Sequence, residues 1–136
     1  MKDNFSSKEL QVEEWIKKGK DDELNARSIL KHRDGTPGGV CFLSQQMTEK
    51  YLKAFLVGRK QWFPKIHPID KLTQYCQKVD FSFLELKDDA IFLTEFYVET
   101  RYPSDYPEFS WKEAEQAFAA AQRIKDFVLK KIRKEK

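Results

Sequence analysis

Val40-Cys41-Phe42-Leu43-Ser44-Gln45-Gln46-Met47-Thr48-Glu49-Lys50-Tyr51-Leu52-Lys53-Ala54-Phe55-Leu56-Val57 is the stretch whose pattern decides the fold. Ahead of the closing Val57, its apolar members are Val40, Cys41, Phe42, Leu43, Met47, Tyr51, Leu52, Ala54, Phe55 and Leu56. On a helix of 3.6 residues per turn they cover more than half the circumference. Such a helix needs neighbours on several sides, which predicts a bundle built around it. The arc is also wide for a small bundle to cover, and an uncovered apolar face predicts a symmetric dimer. The polar residues Ser44, Gln45, Gln46, Glu49, Lys50 and Lys53 are confined to a narrow strip, expected in part at a groove or interface. Gln45, Glu49 and Lys53 follow one another at i, i+4 and i+8 on one face.

Working outward towards the N-terminus, Thr36-Pro37 reads as N-cap and first helical residue, starting this helix over residues 38–57. Gly38-Gly39 lacks the Lys-Ser/Thr ending of a phosphate loop and follows a helix, which rejects that motif. Residues 7–30 form an earlier helix, with Val12, Trp15, Ile16, Gly19, Ala26, Ile29 and Leu30 near one stripe. Gly19 within the stripe costs about 1 kcal/mol against Ala, so a close helix crossing is expected there. His32 follows the last turn, where it faces the negative helix end.

Towards the C-terminus, residues 58–66 connect to a short helix ending near Gln77. His67 reads as its N-cap and Pro68 as its first helical residue. A fourth helix is expected over residues 83–98 and a fifth over residues 111–133. Between them, the segment 97–109 carries Arg101, Tyr102 and Tyr106 among two helix-breaking prolines, Pro103 and Pro107. Ser6-x-x-Glu9, Ser82-x-x-Glu85 and Ser110-x-x-Glu113 each have the form of a capping box. Phe5 and Phe81 stand where a hydrophobic staple would reach Leu10 and Leu86; Phe109 faces the smaller Ala114. Lys130, Lys131, Arg133, Lys134 and Lys136 crowd the last turns, where the helix dipole favours cations.

The expected fold is therefore all-α: an up-and-down bundle of four long helices plus one short helix, one domain over residues 1–136. The bulk numbers agree. Forty per cent apolar and 35% charged residues with five glycines describe a helix-rich protein, and eleven phenylalanines can fill its core. A net charge of +3 permits a phosphate-bearing partner without demanding one. No apolar run approaches the roughly twenty residues needed to cross a bilayer. Met1-Lys2-Asp3-Asn4-Phe5 has no apolar export signal, so a cytoplasmic protein is expected. Cys41 and Cys76 fit neither a disulfide framework nor a metal knuckle; they read as reduced, packed thiols. No metal and no cofactor is expected.

Cys41 to Ala54 resembles the signature helix of HEPN domains (higher eukaryotes and prokaryotes nucleotide-binding). Three further segments carry the resemblance in the same order: Trp15-Ile16-Lys17-Lys18-Gly19-Lys20-Asp21-Asp22, Lys65-Ile66-His67 and Thr100-Arg101-Tyr102-Pro103. The resemblance implies a helical bundle, usually dimeric. It also implies two functional themes: metal-independent endoribonucleases carrying Arg-x(4–6)-His in the loop after helix 4, and short prokaryotic proteins paired with a minimal nucleotidyltransferase as toxin and antitoxin. This sequence keeps Arg101 but has Tyr106 at the nearest eligible position, giving Arg-x4-Tyr. RNA cleavage through the 2′-hydroxyl needs a base and a cation for the phosphorane charge. Arg101 supplies the cation. A phenol of ordinary pKa is ionised about one part in a thousand at pH 7, a deficit of roughly 4 kcal/mol. Glu108 ionises in range but follows Pro107.

The reading is then a nucleotide- or RNA-binding protein that acts as a homodimer beside a nucleotidyltransferase. Its binding candidates are Arg101, Tyr102, Gln45, Glu49, Lys50, Lys53 and His67. The rival is an endoribonuclease toxin using Arg101 and Tyr106; a third reading is a purely structural partner without a ligand.

Overall fold

The computed structural model describes residues 7–96 and 108–134. In chain order these form α1 (Ser7–His32), α2 (Pro37–Gly58), α3 (Ile69–Val79), a 3-10 turn (Phe81–Leu86), α4 (Lys87–Thr94) and α5 (Trp111–Lys134). The described residues contain no strand, so the all-α expectation holds. α2 lies at the centre and packs against α1, α3, α4 and α5. Its wide apolar arc is the cause: Val40, Met47, Tyr51, Leu52, Phe55 and Leu56 are all buried. Aromatic contacts carry the core outward. Phe55 meets Phe83 with ring centroids 4.5 Å apart, and Phe83 meets Phe127 at 5.0 Å. A second chain of rings, Phe92 to Phe96 to Phe109, ties α4 to the approach of α5. The bundle covers α2 more fully than its composition suggests; on that helix Phe42 is the large apolar side chain left half exposed.

Local chemistry sets the element ends. Thr36 caps α2, its Oγ1 accepting from the Gly39 N–H at 3.0 Å, with Pro37 as the first helical residue. Ser110 and Glu113 make both bonds of a capping box: the Glu113 N–H donates to Ser110 Oγ at 3.1 Å, and the Ser110 N–H to Glu113 Oε1 at 2.9 Å. The close crossing expected at Gly19 is present. A Cβ there would stand 3.0 Å from Cε2 of the buried Tyr51 ring. Arg33 takes a left-handed conformation after α1, with φ of 57° and its N–H on the Ile29 carbonyl at 2.7 Å.

Four sequence expectations are corrected. Ser82 does not cap a helix; Asp80 caps instead, accepting from the Ser82 N–H at 3.0 Å and its hydroxyl at 2.6 Å. Phe81 is then exposed and makes no staple, because Phe83 is the aromatic drawn between Phe55 and Phe127. The chain runs through a 3-10 turn, and α4 begins at Lys87, four residues later than expected. α3 begins at Ile69 with Pro68 as N-cap, and His67 does not cap it. Phe5, Ser6 and the end of the expected helix over 83–98 lie outside the described residues.

Candidate functional site

The polar strip of α2 turns inward. The strip was expected in part at a groove or interface, yet Gln45, Glu49 and Lys53 are 0%, 5% and 7% exposed. They are covered because a helix with neighbours on several sides has its polar strip covered too. The connector before α3 returns over it, and Trp15 of α1 packs beside it, with Lys53 Nζ 5.6 Å from the indole ring centroid.

Three hydrogen bonds define the cluster. Gln45 Nε2 donates to the main-chain carbonyl of His67 at 3.1 Å and so fixes the connector to α2. Lys53 Nζ donates to Glu49 Oε2 at 2.8 Å. His67 Nδ1 lies 3.0 Å from the same Glu49 oxygen. The imidazole itself is 48% exposed, so a half-exposed ring is gripped by a buried carboxylate. Glu49 Oε1 is buried without a hydrogen-bond partner, as is Ser44 Oγ. Four of the sequence candidates, Gln45, Glu49, Lys53 and His67, are thus brought together across 22 positions of sequence. Lys50 is not among them: its ammonium pairs with Asp22 of α1. Arg101, Tyr102 and Tyr106 lie outside the described residues. Glu108 is exposed beside the start of α2, bordering a depression with Thr36, Pro37, Gly38 and Phe109.

A second buried carboxylate escaped the sequence reading. Glu23 of α1 accepts from Lys125 at 2.8 Å, Gln122 at 2.7 Å, Arg27 at 3.0 Å and the Tyr51 hydroxyl at 3.3 Å. Burial pushes its pKa up, but the hydrogen bonds from Lys125 and Gln122 and the Lys125 charge outweigh that and hold it below the ordinary value. Tyr51 is shifted the other way, upward, by burial and by the Glu23 charge. The signal was present in the spacing. Val12, Ile16, Gly19, Glu23 and Ala26 form one buried stripe, and Glu23 stands in it where an apolar residue would be expected.

Burial raises the Cys41 thiol to about 11, with the Glu113 charge adding to it, and burial raises Cys76 as well; both are packed, protonated thiols. Among the described residues no group of three His, Cys, Asp or Glu side chains is arranged to hold a metal. Among them, too, no helix is long and apolar enough to cross a membrane.

Comparison with known proteins agrees with this architecture. The HEPN domain matches residues 12–132. The crystal structure of ST0689, an archaeal HEPN homologue, is 28% identical, with 89% of this chain and 97% of that one aligned at a TM-score of 0.70. The crystal structure of TT1696 from Thermus thermophilus is 27% identical, with 89% and 98% aligned at a TM-score of 0.71. No protein of curated function matches the chain.

Proposed function

The chain belongs to the HEPN family, and from that premise we propose that it binds a nucleotide or RNA as a cytoplasmic homodimer. In this reading it acts beside a minimal nucleotidyltransferase, as one half of a toxin–antitoxin-like module. The observation that carries the binding reading is the cluster of Gln45, Glu49, Lys53 and His67. A bundle that needed only stability would fill these positions with apolar side chains, because taking a carboxylate and an ammonium out of water costs more than their attraction returns unless both are fully hydrogen-bonded. Glu49 is not, having one buried oxygen without a donor. Arg101, retained from the family's loop motif, is the cation expected to meet the phosphate, with Tyr102 beside it.

Binding is tested with a labelled RNA oligonucleotide and with free nucleotides at low and moderate salt. Arg101→Ala should weaken binding more than Lys134→Ala, and affinity should fall steeply with salt. A bound ligand must also raise the melting temperature by mass action. Equal losses from the two substitutions would reduce the interaction to diffuse attraction. No binding and no thermal shift would leave the structural-partner reading. Co-expression with a minimal nucleotidyltransferase tests the pairing, and light scattering tests the dimer.

One observation favours the endoribonuclease as a second reading. The loop motif lacks its histidine, yet the chain carries an imidazole held by a carboxylate at His67 and Glu49. RNA cleavage in EDTA, abolished by Arg101→Ala, would establish that reading over binding alone.

A further inference from the structure

The start of α3 meets the end of α4, where the Asp70 N–H donates to the Thr94 hydroxyl at 2.9 Å, so the two helices run antiparallel. A cavity of about 280 Å³ lies between them. On the α3 side Asp70, Gln74 and Gln77 line it at i, i+4 and i+7, one face of that helix. The facing wall is apolar, made by Phe83, Leu84, Ala90 and Ile91, with Lys87 among them. Phe83 and Ala90 are buried, whereas Leu84 and Ile91 are exposed. The fold leaves most of the polar groups here unused. Asp70 Oδ1 accepts from the Lys71 N–H at 2.8 Å and lies 3.3 Å from the Thr94 hydroxyl; Oδ2 has no partner among the described residues. Neither glutamine amide is hydrogen-bonded to a described residue, and Lys87 forms no ion pair with one. Thr73, also in the wall, spends its hydroxyl on the Ile69 carbonyl at 2.7 Å.

Surface lysines and glutamines are ordinarily solvated. What sets these apart is an apolar recess that carries two opposite charges held away from each other. Asp70 stands beside Thr94, and Lys87 is the first residue of α4, seven positions before Thr94, so they are roughly 10 Å apart along the groove. One small zwitterion bridges that gap. The ammonium and carboxylate of an α-amino acid, with a charge-assisted hydrogen bond of about 2.8 Å at each end, reach across roughly 9 Å. A simple anion at Lys87 would leave Asp70 unmatched, and among the described residues no three metal-ligating side chains gather around Asp70. The volume sits near the lower end for ligand pockets, about 300 Å³, which suits a molecule of this size. We propose that the α3–α4 cavity binds a free α-amino acid with an apolar side chain. Asp70 takes its ammonium and Lys87 its carboxylate, the glutamine amides add hydrogen bonds, and the side chain lies on Phe83 and Ala90 between Leu84 and Ile91. Nucleic-acid binding is not required for this, since the cavity shares no residue with the cluster of Gln45, Glu49, Lys53 and His67.

The test is calorimetric titration of the full chain at low salt with L-leucine, L-phenylalanine and L-serine, and with two blocked forms of leucine. N-acetyl-leucine lacks the ammonium and leucinamide lacks the carboxylate. Each blocked form should bind about tenfold or more weakly than leucine, the worth of one hydrogen bond between charged groups. Serine should bind more weakly than leucine or phenylalanine. Asp70→Asn keeps an acceptor for the Lys71 N–H and should bind leucine and N-acetyl-leucine alike. Lys87→Gln should bind leucine and leucinamide alike. Both variants should melt near the parent temperature, since neither loses an ion pair of the described fold. Absence of binding by leucine and phenylalanine up to about 10 mM would overturn the proposal, as would equal affinity for leucine and its two blocked forms. Parent-like discrimination in Asp70→Asn or Lys87→Gln would overturn the assignment of the two charges, and serine binding as tightly as leucine would overturn the apolar part.

Discussion

Replacing the buried pair Glu49 and Lys53 by apolar residues of similar size, singly and together, separates what this cluster does for folding from what it does for a ligand. The two side chains are 6% and 9% exposed and share a 2.8 Å bond. Lys53→Met leaves the Glu49 carboxylate buried with His67 as its remaining contact, a loss of about 3 kcal/mol, the lower end of the range for breaking a buried pair. Glu49→Leu is expected to cost less, about 2 kcal/mol. The Lys53 amine keeps the Trp15 ring and can extend its flexible stem towards water. The double substitution removes both charges and the orphaned oxygen, so it should lie within about 1 kcal/mol of the parent or above it. On a chain of this length 1 kcal/mol is worth roughly 3–5 °C, so Lys53→Met alone should melt about 10 °C lower and the double variant near the parent. Denaturant titrations of the four proteins give the coupling energy directly. The same double variant should bind RNA more weakly than the parent, because the cluster it removes is the one that carries the binding reading. If its loss of stability equals the sum of the two single losses, the coupling energy is zero, the two side chains do not act as a buried pair, and the reasoning is refuted.

Gly19→Ala gains about 1 kcal/mol of helix propensity but sets a Cβ 3.0 Å from the Tyr51 ring, so overpacking of about 1–3 kcal/mol should make it neutral to destabilising; a full gain in denaturant midpoint would mean the crossing is not tight. Glu23 is held below its ordinary value of 4.5, so its contribution is fully present above that pH and is lost as pH falls through the folded value; Glu23→Gln should flatten the acid limb of melting temperature against pH. Asp80, held at about 2 by the Ser82 hydroxyl and by Lys131, should contribute a further loss between its ordinary 3.8 and about 2, absent in Asp80→Asn. Tyr106→His restores an imidazole at an allowed spacing from Arg101 and should gain metal-independent RNA cleavage that Arg101→Ala removes; a parent already active in EDTA and inactivated by Tyr106→Phe would make Tyr106 the catalytic group.

Features set by neighbours along the chain were legible. Thr36-Pro37, the Ser110 and Glu113 capping box and Gly19 in an apolar stripe each state a local geometry, and each holds. Features settled by a partner far away in sequence were not. Asp80 and Ser82 are both good cap residues two positions apart, and local pattern cannot choose between them. The choice follows from Phe83, which is drawn between α2 and α5, and from Lys131 of α5, which pairs with Asp80 at 2.9 Å. His67 likewise has a sound local reading as a cap before proline. It loses to Glu49, 18 residues earlier, which can take the ring once the connector folds back. The inward turn of Gln45, Glu49 and Lys53 was half legible. The width of the apolar arc required neighbours on several sides, and those neighbours cover the remaining strip as well.

The two buried carboxylates beside α2 show how a structural charge differs from one available for function. Glu23 uses both oxygens and takes donors from four side chains on α1, α2 and α5, so its desolvation is offset within the fold. Removing it would unpair a lysine, a glutamine, an arginine and a tyrosine at once, and the ligand surface need not change. Glu49 uses one oxygen, holds one buried lysine and spends its other contact on a ring that faces outward. Its removal unpairs less inside the bundle and releases more at the surface. Burial and charge are alike in the two; the difference lies in where the hydrogen bonds go. The structural burden of the α1–α2–α5 junction therefore falls on Glu23, whereas the hydrogen bonds of Glu49 run to Lys53 of its own helix and to His67 of the connector.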